Sequence, residues 1–80
     1  MEKYYFTFGT AHTLFANGVT WGADVICEIT AEDYGQARQK MVDVFGDKWA
    51  FQYDIKEIQD QLRFCRRGII ALDPEDRKPF

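Results

Sequence analysis

The first element that the sequence predicts is a helix, because apolar residues recur at helical spacing between residues 34 and 45. The stripe consists of residues three, four, three and one positions apart: Tyr34, Ala37, Met41, Val44 and Phe45. Residues with this spacing lie on one side of an α-helix. Thr30 is predicted to be the N-cap, with Asp33 at the acidic position of a capping box. Gly46 is expected to end the helix in a left-handed conformation.

Four stretches carry the pattern of β-strands. They cover residues 3–8, 23–29, 49–53 and 69–72. In the first three stretches the side chains alternate between two faces with a period of two, and the fourth is a short apolar run. The alternating aromatic residues of the third stretch are expected to pack against the helix that precedes them.

A second, shorter helix is predicted after the third strand. Asp54 is a candidate N-cap, Glu57 follows it at the spacing of a capping box, and Gly68 is expected to end the segment. The element order is therefore β-β-α-β-α-β. It predicts an α+β fold, a small two-layer sandwich in which a four-stranded mixed or antiparallel sheet carries both helices on one face.

The connection between the first two strands, residues 9–22, admits two interpretations. Asn17-Gly18 is the strongest short-range turn signal, so the two strands can extend into a long hairpin with this turn at its tip. Alternatively, the connection is a protruding recognition loop with exposed aromatic residues. The apolar residues around the turn exceed what a hairpin tip needs. The candidate partner-binding residues are Leu14, Phe15, Asn17 and Trp21.

Length and composition limit the organisation of the chain. Eighty residues predict one domain, placed at residues 1–73, followed by a charged flexible tail at residues 74–80. The sequence contains no apolar run of transmembrane length and no signal-peptide pattern, so we expect a cytoplasmic protein without a membrane partner. Cys27 and Cys65 are the only cysteines and are expected to be free thiols.

The residue types present disfavour catalysis. The chain contains no serine, which excludes a serine nucleophile, and a single histidine, His12, for which we expect a surface or hydrogen-bonding role. The glycines near the N-terminus do not match a phosphate-binding loop. Two cysteines and one histidine do not complete a structural zinc site without carboxylates. We therefore predict no enzymatic activity and no catalytic, cofactor-binding or metal-binding residues.

Nucleic-acid binding is a second functional class to weigh. The strand from Tyr4 to Phe8 loosely resembles the aromatic strand of an RNA-recognition sheet, whose exposed rings stack on bases. A single-stranded nucleic acid would then bind the side of the sheet that carries Tyr5. The net charge of −3 argues against a general binder of phosphate backbones, so this function is the alternative.

A set of short motifs resembles a family of uncharacterised proteins carried by bacteriophages and prophage-like elements. The motifs are YYFTFG-x-x-H, EDY-x-x-AR-x-KM and FG-x-KWAFQY, which span the first two thirds of the chain. The resemblance implies a small non-enzymatic protein that binds a host or phage protein of unknown identity. Inhibition of a host defence protein, such as an anti-CRISPR activity against a CRISPR effector, is one form that such binding takes. No functional residues follow from the resemblance.

Overall fold

The computed structural model describes residues 1–9 and 13–77. The strands, in chain order, are β1 (Glu2–Thr7), β2 (Leu14–Ala16), β3 (Val19–Trp21), β4 (Val25–Ala31), β5 (Phe51–Tyr53) and β6 (Gly68–Ala71). The helices are α1 (Tyr34–Phe45) and α2 (Ile55–Gln61), and the segments Leu62–Phe64 and Pro74–Asp76 form 3-10 turns.

The predicted α+β class and the four-stranded sheet are confirmed. The sheet has the strand order β5-β1-β4-β6, in which β1 pairs antiparallel with both β4 and β5 while β4 and β6 are parallel. The strands β2 and β3 form a separate two-stranded sheet. The element order therefore follows the predicted β-β-α-β-α-β, with a hairpin inserted between the first two strands of the main sheet.

The N-cap of helix α1 lies three residues after its predicted position at Thr30. Asp33 is the N-cap, and its carboxylate accepts a hydrogen bond of 2.8 Å from the backbone N–H of Gln36. The prediction that Thr30 caps the helix is wrong, because β4 continues through Thr30 to Ala31. At the other end, Gly46 has a φ of 66° and its N–H donates to the carbonyl of Val42, so the predicted glycine stop is confirmed.

The two helices lie on opposite faces of the sheet, and the prediction that they share one face is wrong. The α1 face has its own cluster of buried residues: Phe6, Phe8, Trp21, Val25, Cys27, Ile29, Ala31, Ala37, Met41, Phe45 and Leu72. The α2 face has a smaller cluster: Tyr5, Ile26, Ile58 and Cys65. Neighbouring residues of β1 and β4 alternate between the two clusters, as the strand period requires. The sheet is therefore covered on both sides, and the molecule has three layers.

Strand order explains the placement of the helices. Through α1 the chain passes from β4 across β1 to β5, and through α2 it returns from β5 across β1 and β4 to β6. The three strands joined by these crossovers run in the same direction. Crossovers between such strands have one strongly preferred hand. Two crossovers that run in opposite directions along a sheet share a hand only if their helices lie on opposite faces.

The predicted Asn17-Gly18 turn of the first connection is confirmed, but the expectation that the strands of the main sheet extend into this hairpin is wrong, because β2 and β3 form a separate two-stranded sheet. Asn17 and Gly18 have φ values of 49° and 80°, the left-handed conformations that a tight two-residue turn needs. The Asn17 side-chain amide donates to the carbonyl of Leu72 at 2.9 Å. The Arg77 guanidinium donates to the carbonyls of Asn17, Ala71 and Leu72. These bonds attach the turn to the end of β6.

Part of the predicted flexible tail is ordered. Pro74–Asp76 form a 3-10 turn, and Arg77 makes the three hydrogen bonds that hold the hairpin. The structured part of the chain therefore reaches Arg77, beyond the predicted boundary at residue 73. Residues 78–80 lie outside the described residues.

Candidate protein-binding site

The four residues predicted to bind a partner do not share one exposed surface. Trp21 is fully buried in the α1-face cluster, and its indole N–H donates to the carbonyl of Ala16 at 3.0 Å. The expectation of an exposed Trp21 ring is wrong, because the ring packs against Phe8 and Phe45. Leu14 is half-buried against the same cluster.

The other two predicted residues lie at the surface. Asn17 uses both its side chain and its carbonyl for the bonds that hold the hairpin. Phe15 keeps 76% of its surface exposed on the outer side of β2. Of the predicted set, Phe15 is therefore the residue with a large apolar surface open to a partner.

A larger apolar surface lies elsewhere, along the line where α1 meets the edge strand β5. An open groove of about 800 Å³ runs there. We call it the α1–β5 groove, and the lining residues that matter for its chemistry are Tyr34, Arg38, Val42, Trp49, Phe51 and Gln52. The groove takes one wall from the exposed side of α1 and the other from β5 and the turn that precedes it.

Three large side chains of α1 and β5 are unusually exposed: Tyr34 and Val42 on the α1 side of the groove, and Phe51 on the opposite face of the β5 edge, where it contacts Tyr53. Tyr34 keeps 55% of its surface accessible, Val42 45% and Phe51 64%. Isolated apolar residues are normal on a protein surface, but a group of them around a concavity marks an interaction site. Tyr34, Arg38 and Val42 follow one another at intervals of four residues, so they form a row along one side of the helix.

Trp49 forms the floor of the groove between these side chains. It is half-buried, packs edge-on against Phe6 with ring centroids 5.3 Å apart, and donates its indole N–H to the carbonyl of Gly46. The Arg38 guanidinium lies 5.0 Å above the Trp49 ring. Such a cation–π contact contributes about 0.5–1 kcal/mol at an exposed site, and it leaves the N–H donors of the arginine available. No carboxylate of the described residues forms an ion pair with Arg38.

Gln52 brings an unsatisfied polar group to the same groove. Its side chain points to the α1 face, since it pairs with Phe6 of β1. Both the amide oxygen and the amide nitrogen are buried, and neither has a hydrogen-bond partner. A buried polar group without a partner costs about 1–3 kcal/mol. The donor and the acceptor of this amide are therefore both unused, although Gln52 belongs to the edge strand β5.

The two edges of the main sheet differ in protection. At the β6 edge, Arg77 bonds the carbonyl of Ala71, and the hairpin turn is attached to Leu72 just after the strand. The β5 edge carries no proline and no charged residue, and one of its side chains is the exposed Phe51. Edge strands usually carry such devices to prevent further pairing. The β5 edge thus lacks the protection that Arg77 and the hairpin give to the C-terminal end of β6.

The side of the sheet considered for nucleic-acid binding is closed by α2. Tyr5 is only 3% exposed and lies in one cluster with Ile58 of α2. Burial raises the pKa of Tyr5 above its usual value, and the nearby Glu28 carboxylate raises it further. The Tyr5 ring is not available for stacking on a base.

Neither cysteine is arranged as a nucleophile. Cys27 lies in the α1-face cluster and Cys65 in the α2-face cluster, so the sheet separates the two free thiols. Burial is the main cause that raises the pKa of both thiols above the usual value. A reactive cysteine needs the opposite, a lowered pKa and an accessible sulfur. His12, the other residue weighed for catalysis, lies outside the described residues.

Sequence reasoning missed the α1–β5 groove because its residues had another interpretation. Tyr34 belongs to the helical stripe and Phe51 to the strand alternation, and both were assigned to the core. One signal pointed to the site: Gln52 is a polar residue between two aromatic ones, at the position whose side chain faces α1. A polar residue at a position facing the core is a candidate for function.

Within residues 1–9 and 13–77, no group of three or more histidine, cysteine, aspartate or glutamate side chains is placed to hold a metal ion. No helix in this part of the chain is long and apolar enough to cross a membrane. No family model, curated protein or solved structure matches the chain.

Proposed function

We propose that this protein works by binding another protein through the α1–β5 groove, without catalytic turnover. The observation that carries the proposal is the exposure of Tyr34 and Val42 on a groove that is also lined by the half-buried Trp49 and that ends at the β5 edge, where Phe51 is exposed. Aromatic side chains and arginine dominate the binding energy of protein interfaces. The groove combines the rings of Tyr34 and Trp49 with Arg38, whose guanidinium lies over Trp49.

The rigidity of the groove supports the same proposal. Trp49 is fixed by its contact with Phe6 and its bond to the Gly46 carbonyl, and its ring provides a surface on which the Arg38 guanidinium lies. Side chains that are already ordered lose less conformational entropy when a partner binds. An interaction surface of this kind needs no large rearrangement to present its anchors.

The resemblance to phage-carried proteins suggests the kind of partner and the consequence of binding. On that reading the partner is a bacterial protein in the cytoplasm, and the consequence of binding is inhibition, for example of a CRISPR effector or another defence enzyme. The net charge of −3 is compatible with a protein partner and unfavourable for binding to nucleic acid.

The experiment compares three proteins: the wild type, a Tyr34→Ser/Phe51→Ser double variant, and Phe15→Ser as the matched control. All three substituted residues are more than half exposed, so we expect the melting temperatures to stay within about 5 °C of the wild type. Each protein is immobilised and exposed to a bacterial lysate, and the retained proteins are identified by mass spectrometry. We expect a protein retained by the wild type and by Phe15→Ser but not by the double variant.

Retention of the same proteins by all three would contradict the groove as the binding site. Loss of retention with Phe15→Ser alone would instead place the contact on the hairpin. A labelled single-stranded oligonucleotide, titrated at several salt concentrations, tests the alternative function. Tight binding that weakens with salt would favour a nucleic-acid module, although its stacking rings would have to be other than Tyr5.

A further inference from the structure

We propose that Asn17 is a site of spontaneous deamidation, and that the contacts attaching the hairpin turn to the end of β6 control how fast it reacts. Asn17 and Gly18 form the tip of the β2–β3 hairpin, and Asn17 is the only asparagine in the chain. Side-chain amides of asparagine are thermolabile. The site lies on the hairpin and not in the α1–β5 groove, so it does not depend on the proposed function.

The reaction is an attack of the Gly18 backbone nitrogen on the carbon Cγ of the Asn17 side chain. A C–N bond forms, the proton of the Gly18 N–H moves through solvent to the side-chain nitrogen, and that nitrogen leaves as ammonia. Water then opens the resulting succinimide at one of its two carbonyl carbons, which yields aspartate or isoaspartate. Glycine favours the attack, because it has no Cβ beside the reacting nitrogen. Water is the only other reactant.

The folded turn holds the reacting residue at its side chain and at its backbone. The Nδ2 of Asn17 donates to the carbonyl of Leu72 at 2.9 Å, and Nη1 of Arg77 donates to the carbonyl of Asn17 at 2.9 Å. Arg77 also donates to the Leu72 carbonyl through Nη2 at 3.1 Å, so the three residues form one connected set of bonds. Ring closure requires the Asn17 amide to leave Leu72 and to turn toward the Gly18 nitrogen. The attached turn is therefore protected, and reaction follows its opening.

Arg77 has a second possible effect, because its guanidinium lies close to the turn. A Cβ placed on Gly18 would be 4.0 Å from Nη1 of Arg77. A cation at this position would promote the reaction if it stabilised the negative charge that develops on the Asn17 side-chain oxygen. That stabilisation acts only once the ring can close, and the attached turn keeps the Asn17 amide on Leu72. Protection therefore dominates, and removal of Arg77 should speed the reaction.

The isoaspartyl product no longer fits the attachment. Both products replace the Asn17 amide by a carboxylate, which accepts hydrogen bonds but has no N–H to donate to the Leu72 carbonyl. The aspartate form keeps Arg77 as a neighbouring cation, which offsets part of this loss. The isoaspartate form also lengthens the backbone of the turn by one methylene, which disturbs the two-residue connection between the paired residues Ala16 and Val19. Formation of isoaspartate thus converts a transient opening into a lasting release of the hairpin.

The first test compares the deamidation rate of the full chain in native buffer and in concentrated urea at the same mildly alkaline pH. Intact-mass spectrometry follows the replacement of the amide by an acid, and peptide mapping confirms that the change is at Asn17, the only asparagine. We expect the native rate to be at least about tenfold below the rate in urea, since the reaction proceeds only from a locally opened state. Equal rates in the two conditions overturn the proposal.

The second test changes the attachment. Arg77→Ala should raise the native rate about fivefold or more, because loss of its bonds makes the turn open more often. Arg66→Ala, an exposed control, should leave the rate unchanged. Asp33→Ala removes the cap of α1 away from the hairpin and should raise the rate less than Arg77→Ala. All variants should react equally fast in urea. If circular dichroism shows that Arg77→Ala does not fold, Arg77→Lys replaces it and should give a smaller increase.

A native rate that is unchanged or lower without the Arg77 guanidinium overturns the proposal, as does an equal acceleration by Asp33→Ala, which would mean that reaction follows global unfolding. The third test examines the product. The isoaspartyl form is identified by an isoaspartyl-specific methyltransferase and separated by ion-exchange chromatography. We expect its amides in β2 and β3 to exchange faster than those of the unreacted chain, while β1 and β4 keep their protection. Unchanged exchange in β2 and β3 would contradict the release of the hairpin.

Discussion

At the scale of residues, the two large rings of the hairpin have opposite roles. Trp21 and Phe15 lie on paired strands six positions apart, yet Trp21 is fully buried and Phe15 is 76% exposed. The separation follows from the strand period, because Phe15 pairs with Thr20 and Trp21 with Leu14. One face of the hairpin therefore lies on the α1-face cluster and the other faces solvent.

Trp21→Ala should destabilise the protein by about 3–5 kcal/mol, the usual range for removing a large aromatic ring from a core. A domain of this size has a total stability of about 5–10 kcal/mol, so the variant should be largely unfolded or marginally stable. Phe15→Ala, the control on the other face, should change the free energy of unfolding by less than about 1 kcal/mol. Urea denaturation followed by circular dichroism measures both, and equal effects would contradict the assigned burial.

The thiols provide a residue-scale prediction about pH. Burial holds the pKa of Cys27 above its usual value, so the folded state keeps a proton that the unfolded chain releases above about pH 8.5. The free energy of unfolding should therefore be at its full value below that pH and fall as the pH rises further. Cys27→Ala should reduce this slope, even if it lowers stability at neutral pH. An unchanged slope would show that other groups cause the alkaline loss.

At the scale of elements, the local sequence predicts one helix cap correctly and the other incorrectly. The capping box of α2 was visible in the spacing of Asp54 and Glu57, and both of its hydrogen bonds are present. The cap of α1 was placed three residues too early, because Thr30 and Asp33 are both good capping residues. Pairing of β4 with β1 as far as Ala31 extends the strand beyond Thr30 and leaves Asp33 as the cap.

A pair of substitutions tests the position of the α1 cap. Asp33→Ala should lower the free energy of unfolding by about 1 kcal/mol, as expected when a first-turn N–H loses its acceptor. Thr30→Ala should have a smaller effect, since only the backbone carbonyl of Thr30 bonds to the helix, through Lys40. Thermal unfolding of the two variants measures both losses of stability. A larger loss with Thr30→Ala than with Asp33→Ala would show that Thr30 is the N-cap.

The hairpin should depend on Arg77. This residue donates to three carbonyls, those of Asn17, Ala71 and Leu72, and bonds made by a charged donor contribute more than neutral ones. Arg77→Ala should destabilise the protein by about 1–3 kcal/mol and speed amide exchange in β2 and β3. Arg77→Lys should not fully restore the protection, because an ammonium lacks the planar fork. Arg66→Ala, an exposed arginine in the turn before β6, is the control that should leave exchange unchanged.

At the scale of the whole molecule, one sheet supports two cores. Met41 of α1 packs into the cluster on one face and Ile58 of α2 into the cluster on the other, and both are fully buried. The strands β1 and β4 contribute side chains to both clusters. Loss of either core should therefore remove the support of the other.

Met41→Ala and Ile58→Ala should each cost about 2–5 kcal/mol, and each should keep a single cooperative transition. Tryptophan fluorescence reports the α1 face, where Trp21 and Trp49 lie, while far-ultraviolet circular dichroism reports all elements. We expect the two signals to coincide in both variants. A fluorescence transition that stays at the wild-type midpoint in Ile58→Ala, while the dichroism moves, would show that the cores unfold independently.

Local pattern alone determined the type and approximate place of nearly every element. The period of the apolar residues identified α1 and three strands of the main sheet, and a short apolar run identified the fourth. The turn and stop residues Asn17, Gly18 and Gly46 act through their own backbone conformations. These features depend on residues close in sequence, so the sequence expresses them directly.

Only the tertiary structure decided which faces are covered and which edge is free. An apolar stripe shows that a side is suited to burial but not which element buries it. Thus Tyr34 and Phe51 match the core pattern and remain exposed, while the Tyr5 side is closed by α2. The face taken by α2 follows from the order β5-β1-β4-β6, which is set by pairings between residues as distant as Cys27 and Ile70. The same long-range pairings leave β5 as an unprotected edge beside the unsatisfied Gln52, and no local signal specifies that arrangement.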